Sequence, residues 1–213
     1  MDKKITSKSQ ARLDKIKQIA AESFLKNGYE ATNLKDIIKE AGGSFSSVYQ
    51  HYKNKEGLFE AILNDFTKNH FLKIFNETMD IKEDESLEDF LHNFALAYLG
   101  IFNNTKTIAI VRLLYSEIYN EKIDFAKWLK GNNKAGIEFM LQQRFAKENK
   151  KLAKNAKFLS YTFCAMLRGS FFIQSTFENK VLMDKKEQKA HAKKLLNFLP
   201  KDLLVLINQK LLK

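Results

Sequence analysis

Residues 33–55 read NLKDIIKEAGGSFSSVYQHYKNK, and this stretch decides the fold. Leu34, Ile37, Ile38 and Ala41 recur at helical spacing, so a first short helix has one apolar face. Thr32 and Asn33 offer N-cap oxygens, and Asp36 follows Asn33 by three residues, as in a capping box. Gly42 and Gly43 end that helix, because glycine readily takes the left-handed conformation that closes one. Ser44 can cap a second helix, on which Val48 and Tyr52 share a face while Phe45, Ser46, Ser47, Tyr49 and His51 spread around the rest. Hydroxyls, aromatic edges and an imidazole are groups that meet phosphates and base edges. The pair reads as a helix-turn-helix.

Before this stretch, the polar opening MDKKITSKSQ has little to bury and is expected to be disordered in isolation. Its Lys3, Lys4 and Lys8 suit either a solubilising tail or an arm that reaches phosphates. A first helix follows with Leu13, Ile16, Ala20 and Phe24 on one stripe, ending at Asn27-Gly28. After it, Asn54 caps a helix spanning about 54–79 with Leu58, Phe59, Ile62, Leu63 and Phe66 as its apolar positions.

The run from Ala11 to Leu63 resembles the DNA-binding domain of the TetR family of bacterial transcriptional repressors. Phe24, Gly28-Tyr29, Thr32, Ile37, Ala41-Gly42, Ser44, Tyr49, Tyr52, Lys55 and Leu58 carry the likeness. Runs such as KEGLF (55–59), FCAML (163–167) and MDKKEQK (183–189) place it near members that control multidrug efflux. The resemblance implies an all-α protein with a three-helix DNA-binding head at 1–53 and a helical ligand-binding and dimerisation domain at 54–213. It implies a homodimer on a pseudo-palindromic double-stranded DNA operator, released by a hydrophobic or amphipathic small-molecule effector that shifts helix 54–79. The residues expected on DNA are Thr32, Ser44, Phe45, Ser47, Tyr49, His51 and Lys55, the last at a phosphate near a helix start.

The chain departs from the family at Gly43 and Ser46. Gly43, Ser44, Ser46 and Ser47 are poor helix formers, together forfeiting on the order of 1–2 kcal/mol against alanine. A two-turn helix has no such margin alone, so residues 44–50 are expected to be short, irregular or mobile without DNA. The same residues sustain an alternative reading: a small-molecule-binding or scaffolding protein whose head is degenerate and binds DNA without specificity.

Beyond residue 79, Ser86 opens a helix of clean period through Leu87, Phe90, Leu91, Phe94, Ala95, Tyr98, Leu99 and Phe102. Lys82–Glu85 is expected to be a loop. Further helices are expected over about 107–119, 124–145, 158–177 and 184–198, with a last one after Pro200 along Leu203, Leu204, Ile207 and Leu211. The segment 158–177 is apolar nearly all round apart from Arg168; a mid-span charge argues against a membrane span and a two-faced apolar helix favours a partner subunit. The dimer is therefore expected through 158–177 and 200–212, with Phe163, Met166, Ser170, Ile173 and Phe177 on one face and Tyr161, Cys164, Arg168 and Phe171 on another. Gly169 and Ser170 would allow close backbone approach.

Phe94, Tyr98, Phe102, Tyr115, Trp128, Phe139, Cys164 and Arg168 are the expected effector residues, although aromatic stripes at helical spacing also make plain core. Arg168 must find water, a carboxylate such as Glu117 or Glu138, the dimer interface, or a bound anion. The last alternative points to a bulky amphipathic acid.

At 213 residues and 45% hydrophobic, the chain has the material for a packed core, and its single proline and eight glycines leave long segments free to be helical. One cysteine excludes an internal disulfide and suits a reducing cytoplasm. The first residues hold no signal-peptide pattern. The net charge of +11 agrees with a polyanionic partner, though residues 1–56 hold only +4 of it. Phosphate-binding glycine patterns, a GxSxG elbow and zinc-ligand pairs are lacking. Glu88 with His92, and Asp184 and Glu187 with His191, sit at metal-compatible helical spacing, but exposed helix faces produce such sets often. No enzyme, no cofactor and no bound metal are expected.

Overall fold

The structure, a computed structural model, describes residues 7–79, 85–126, 128 and 136–198, with the backbone alone at Ser47. Every regular element among them is helical. They are α1 Ser7–Asn27, α2 Leu34–Ala41, α3 Phe45–Tyr52, α4 Lys55–Asp65, a π-helical turn Phe66–Phe71, α5 Leu72–Thr78, α6 Leu87–Phe102, α7 Thr105–Ser116, α8 Ile137–Glu148, α9 Lys150–Glu178 and α10 Lys185–Phe198. The chain divides into two compact units, Met1–Lys68 with Ala109–Leu129, and Asn69–Ile108 with Lys130–Lys213. The boundary expected at Lys53-Asn54 falls inside the first unit, because α4 packs on α1 and α3.

In the first unit, α1 buries Leu13, Ile16, Ala20 and Phe24, the stripe its period prescribes. Gly28, at φ +80°, turns the chain, and its N–H closes on the Phe24 carbonyl at 2.9 Å. Tyr29 then stacks on Phe24 with centroids 5.5 Å apart and meets Phe59 of α4 edge-on at 5.0 Å. This ring cluster, together with the 2.5 Å pair of Lys17 and Asp65, ties α1 to α4. Lys8, expected in the tail, lies in the first turn of α1, while Lys3 and Lys4 lie outside the described residues.

The second unit has its core around α6, whose Leu87, Phe90, Leu91, Phe94, Ala95, Tyr98 and Leu99 are all buried. Ser86 caps this helix as expected, accepting from the Asp89 N–H at 3.1 Å. Phe75 of α5, Leu141 and Phe145 of α8, Phe163, Cys164, Leu167 and Phe171 of α9, and Leu196 of α10 complete the cluster. Asn103 locks the end of α6 to the segment before α10: its amide donates to the Met183 carbonyl, and its oxygen accepts from the Met183 N–H.

Several expected spans change. The stretch 54–79 is helical from Lys55 to Thr78, but α4 gives way to the π-helical turn before α5 resumes. No single helix covers 124–145, because Gly136 is extended (φ −82°, ψ 168°) and begins α8 afresh. The helix expected at 158–177 starts earlier, at Lys150, and bends at Gly169 (φ +49°, ψ −160°). That bend breaks the wheel drawn for the dimer face. Phe163 is buried with Cys164 and Phe171, while Phe158, Tyr161, Ile173 and Phe177 stand exposed. Residues 82–84 of the expected acidic loop and the expected last helix at 200–212 lie outside the described residues. Among the described residues no single helix is long and apolar enough to cross a membrane.

Candidate nucleic-acid interface and effector residues

The turn between α2 and α3 forms as its chemistry requires. Asn33 caps α2, its side-chain oxygen accepting from the Lys35 N–H at 2.8 Å. Gly42, at φ +65°, donates back to the Lys39 carbonyl at 3.2 Å, and the Gly43 N–H reaches the Ile38 carbonyl at 3.0 Å. Gly43 packs close to α1: a Cβ there would sit 3.0 Å from Ile16 Cδ1, so the isoleucine side chain would have to shift.

α3 is a continuous eight-residue helix, just over two turns, so residues 44–50 are not irregular. Propensity loses to packing here. Val48 is fully buried, and α3 is held against α2 and α4. Ser44 starts the helix, its carbonyl accepting from the Val48 N–H at 3.3 Å.

The expected DNA-contacting residues part ways. Ser44, Phe45, Tyr49 and His51 are exposed, with Phe45 at 44% and Tyr49 at 58%, so Tyr49 is no packing residue of the head. The Ser47 side chain lies outside what is described. Thr32 does not reach the surface: it is 2% exposed, and its hydroxyl donates to the Gly28 carbonyl at 2.7 Å. It holds the turn that seats Tyr29. Lys55 is half-buried; its ammonium lies 4.3 Å over the Tyr29 ring and donates to the Glu30 carbonyl at 3.3 Å. The cation is thereby fixed at the start of α4, beside the Asn54 cap, which accepts from the Gly57 N–H at 2.9 Å.

Two residues absent from that expectation occupy the middle of the exposed face. Ser46 and Gln50, two positions before and after Val48, stand about 160° from it around the helix, and both are exposed. Measuring angles from the one buried residue would have found them in the sequence; sorting residues by chemistry did not.

Among the expected effector residues, Phe94, Tyr98 and Cys164 are buried, and Phe94 stacks on Tyr98 at 5.7 Å. Phe94 also meets Phe75, Phe90 and Phe163, and so is plain core. Phe102 is half-buried and lies 5.0 Å from both Tyr98 and Phe172. Phe139 is half-buried on α8 and stands outside the core cluster. Tyr115, 48% exposed, and Trp128, which donates to Asn64 Oδ1 at 3.0 Å, belong to the first unit.

Arg168 takes the carboxylate alternative. Its Nη1 donates to Tyr98 OH at 2.7 Å and to Glu138 Oε1 at 3.2 Å, and the phenol donates to the same oxygen at 3.3 Å. The guanidinium lies 5.9 Å from both the Tyr98 and Phe102 ring centroids. Burial, followed by the Glu138 carboxylate, pushes the Cys164 thiol up to about 12. Burial likewise holds the Tyr98 phenol far above its ordinary value. Asp184 and Glu187 are spent on a reciprocal capping box at the start of α10, each accepting from the other's N–H at 2.7–2.8 Å. Among the described residues no group of three or more His, Cys, Asp or Glu is placed to hold a metal ion.

A profile of bacterial regulatory proteins of the tetR family matches residues 17–62, the span from mid-α1 into α4. The HTH-type transcriptional repressor ComR of Escherichia coli K12 is 33% identical over 99 residues, 46% of this chain and 44% of ComR. The chain thus spans less than half the length of that relative. A putative TetR-family transcriptional regulator from Mesorhizobium loti superposes with a TM-score of 0.70 at 20% identity, covering 90% of this chain and 96% of the other. NalD of Pseudomonas aeruginosa, the secondary repressor of the MexAB-OprM multidrug efflux pump, superposes at 0.61 and 20% identity over 90% and 96%. At such identity the likeness to the two structures is one of fold. ComR and NalD are transcriptional repressors.

Proposed function

The chain belongs to the TetR family of bacterial regulatory proteins, and from that premise we propose that it is a ligand-responsive repressor that binds a pseudo-palindromic operator as a homodimer. The observation that carries the reading is α3 itself: anchored by Val48, closed by Gly42 and Gly43, and presenting an uncharged polar and aromatic face. A helix of this kind enters a major groove, and a dimer places two in successive grooves. With α3 fully formed, the poor helix formers no longer argue for a degenerate head. The exposed apolar residues Phe158, Tyr161, Ile173 and Phe177 of α9 suit a second copy of the chain across a two-fold axis.

The effector fits a hydrophobic or amphipathic small molecule, and its polar end is not an acid. Arg168 was the reason to expect one, yet its charge is matched by Glu138 and its Nη1 is taken. A neutral group that both accepts from the guanidinium and donates to the carboxylate answers this pair better than a carboxylate does. The signal would pass along Lys55–Thr78, where the π-helical turn interrupts α4 and α5. The runs KEGLF, FCAML and MDKKEQK, which resemble efflux-controlling members of the family, favour an efflux or related transport gene as the target.

The test is a gel shift of the purified chain on the DNA beside its own coding region, with random-sequence competitor. A band that survives competitor supports the repressor; a band lost equally to specific and random DNA defeats it. Titration of that complex with a hydrophobic carboxylate and its neutral amide tests the effector. The amide should release the DNA at the lower concentration, and Arg168→Met should erase the difference.

A further inference from the structure

The exposed face of α3 reveals what kind of base sequence it can read, an inference that rests on the repressor reading above. The helix is FSSVYQHY and carries neither arginine nor lysine. Those are the side chains that take guanine O6 and N7 as a bidentate pair, so the commonest guanine contact has no reader here. It carries no aspartate or glutamate either, so the carboxylate that pairs characteristically with cytosine N4 is absent from it. What stands opposite Val48 is Gln50, exposed, with Ser46 one turn earlier. Glutamine is matched to adenine: its carboxamide oxygen accepts from N6 and its NH2 donates to N7. Serine one turn earlier is small, which leaves the longer amide room to reach the groove floor, and its hydroxyl bonds to any base without choosing.

The flank of the same face is apolar. Phe45 and Tyr49 are one turn apart, and both are exposed. Phe45 lies in the first turn of α3, the end that leads into the groove. Aromatic carbon in the major groove has one specific target, the C5-methyl of thymine. His51, the remaining polar ring, sits in the last turn on the opposite flank.

We propose that Gln50 reads an adenine at the centre of each operator half-site, and that Phe45 and Tyr49 pack on the methyl group of a neighbouring thymine. Specificity then resides in A·T pairs. The lysines outside α3, among them Lys55, supply affinity without sequence preference.

The experiment is selection of duplexes from a random pool by the full-length chain, followed by binding measurements on the selected duplex with single-atom base analogues. An A·T-centred half-site is expected. Replacing the central adenine by 7-deazaadenine, which lacks the N7 acceptor, should weaken binding roughly 5-fold. Replacing the neighbouring thymine by uracil, which lacks the methyl, should weaken it about 4-fold. Gln50→Ala should lower affinity for the selected duplex roughly 5- to 150-fold while binding to random duplex stays unchanged. Gln50→Glu should move the preferred base from adenine to cytosine, a change that no loss of folding produces. A G·C-centred consensus, or a Gln50→Ala protein that selects the same sequence as wild type, overturns the proposal and leaves the repressor reading standing. A chain that selects no sequence at all overturns both.

Discussion

Gly57 is the position where the geometry of the head and the rules of helix propensity disagree most sharply. It lies in the first turn of α4, and replacing glycine by alanine inside a helix ordinarily stabilises by about 0.5–1 kcal/mol. Here a Cβ would overlap the backbone carbonyl oxygen of Tyr52 and lie 3.3 Å from Asn54 Oδ1. Neither neighbour can swing aside, because one is main chain and the other is the cap that accepts from the Gly57 N–H. Relief requires the end of α3 or the start of α4 to move. Overpacking of this kind costs about 1–3 kcal/mol, and a loosened Asn cap adds about 0.5–2 kcal/mol. The net expectation for Gly57→Ala is a loss of about 1–4 kcal/mol. Trp128, the single tryptophan, bonds to Asn64 of α4, so its fluorescence follows the first unit. In urea, a loss of about 2 kcal/mol at a slope near 2 kcal/mol per molar lowers the midpoint by about 1 M. Gly100→Ala in α6 is the control, since its Cβ would meet only Ile74 Cγ2 at 4.0 Å, ordinary contact, and it should stabilise. A Gly57→Ala midpoint at or above that of wild type would refute the steric argument.

Thr32→Val should cost about 1 kcal/mol, through the lost hydrogen bond to the part-buried Gly28 carbonyl, and should not alter the salt dependence of DNA binding; a changed salt slope would return Thr32 to the interface. Stability should fall at both pH extremes. Burial and the charge of Lys106 hold His70 below its ordinary value, so the unfolded chain takes up a proton first and stability drops as pH falls below about 6.5. Burial holds Tyr52 and Cys164 up at about 12, so their contribution is intact below their ordinary values and lost as pH rises from there toward 12; urea midpoints measured across pH should show both limbs. A double-mutant cycle of Arg168→Met and Glu138→Gln should give a coupling below about 1 kcal/mol, because the two side chains are 32% and 28% exposed. The Cys164 thiol should resist a thiol reagent at pH 8 until urea unfolds the chain, since it is fully buried.

The head was legible because its signals are local. Gly42, Asn33 and Asn54 act within four residues of themselves, and the stripe of α1 needs only a period of 3.6. Where the outcome depended on a distant neighbour, the sequence was ambiguous. α3 looked too weak to persist because propensity counts Gly43 and three serines against it, while the burial of Val48 and the closeness of Gly43 to Ile16 of α1 come from outside the helix. Thr32 shows the same limit in reverse. A hydroxyl beside a turn reads as a phosphate ligand until Thr32 is seen to be buried, with its hydroxyl bonded to the Gly28 carbonyl.

Gly169 carries this argument into the effector unit. Beside Ser170 in an apolar helix, a glycine suggests close approach of a second backbone, and its missing Cβ serves a bend equally well. The structure uses it for a bend: at φ +49° and ψ −160° the residue occupies a region that L-residues avoid, and α9 breaks between 168 and 170. The Leu167 carbonyl lies two residues before the bend. His191 of α10 bonds to it, with Nε2 at 3.1 Å. A carbonyl only accepts, so that nitrogen must carry a proton, and the ring is held as the Nε2–H tautomer or as the cation. The residue that meets Glu138 and Tyr98 is therefore set between a bend on one side and a cross-helix hydrogen bond on the other. Arg168 in a regular helix would carry the wheel's face forward into 170–178. Here the bend ends that face at Arg168, which is why the buried and exposed sides of α9 do not follow a single stripe.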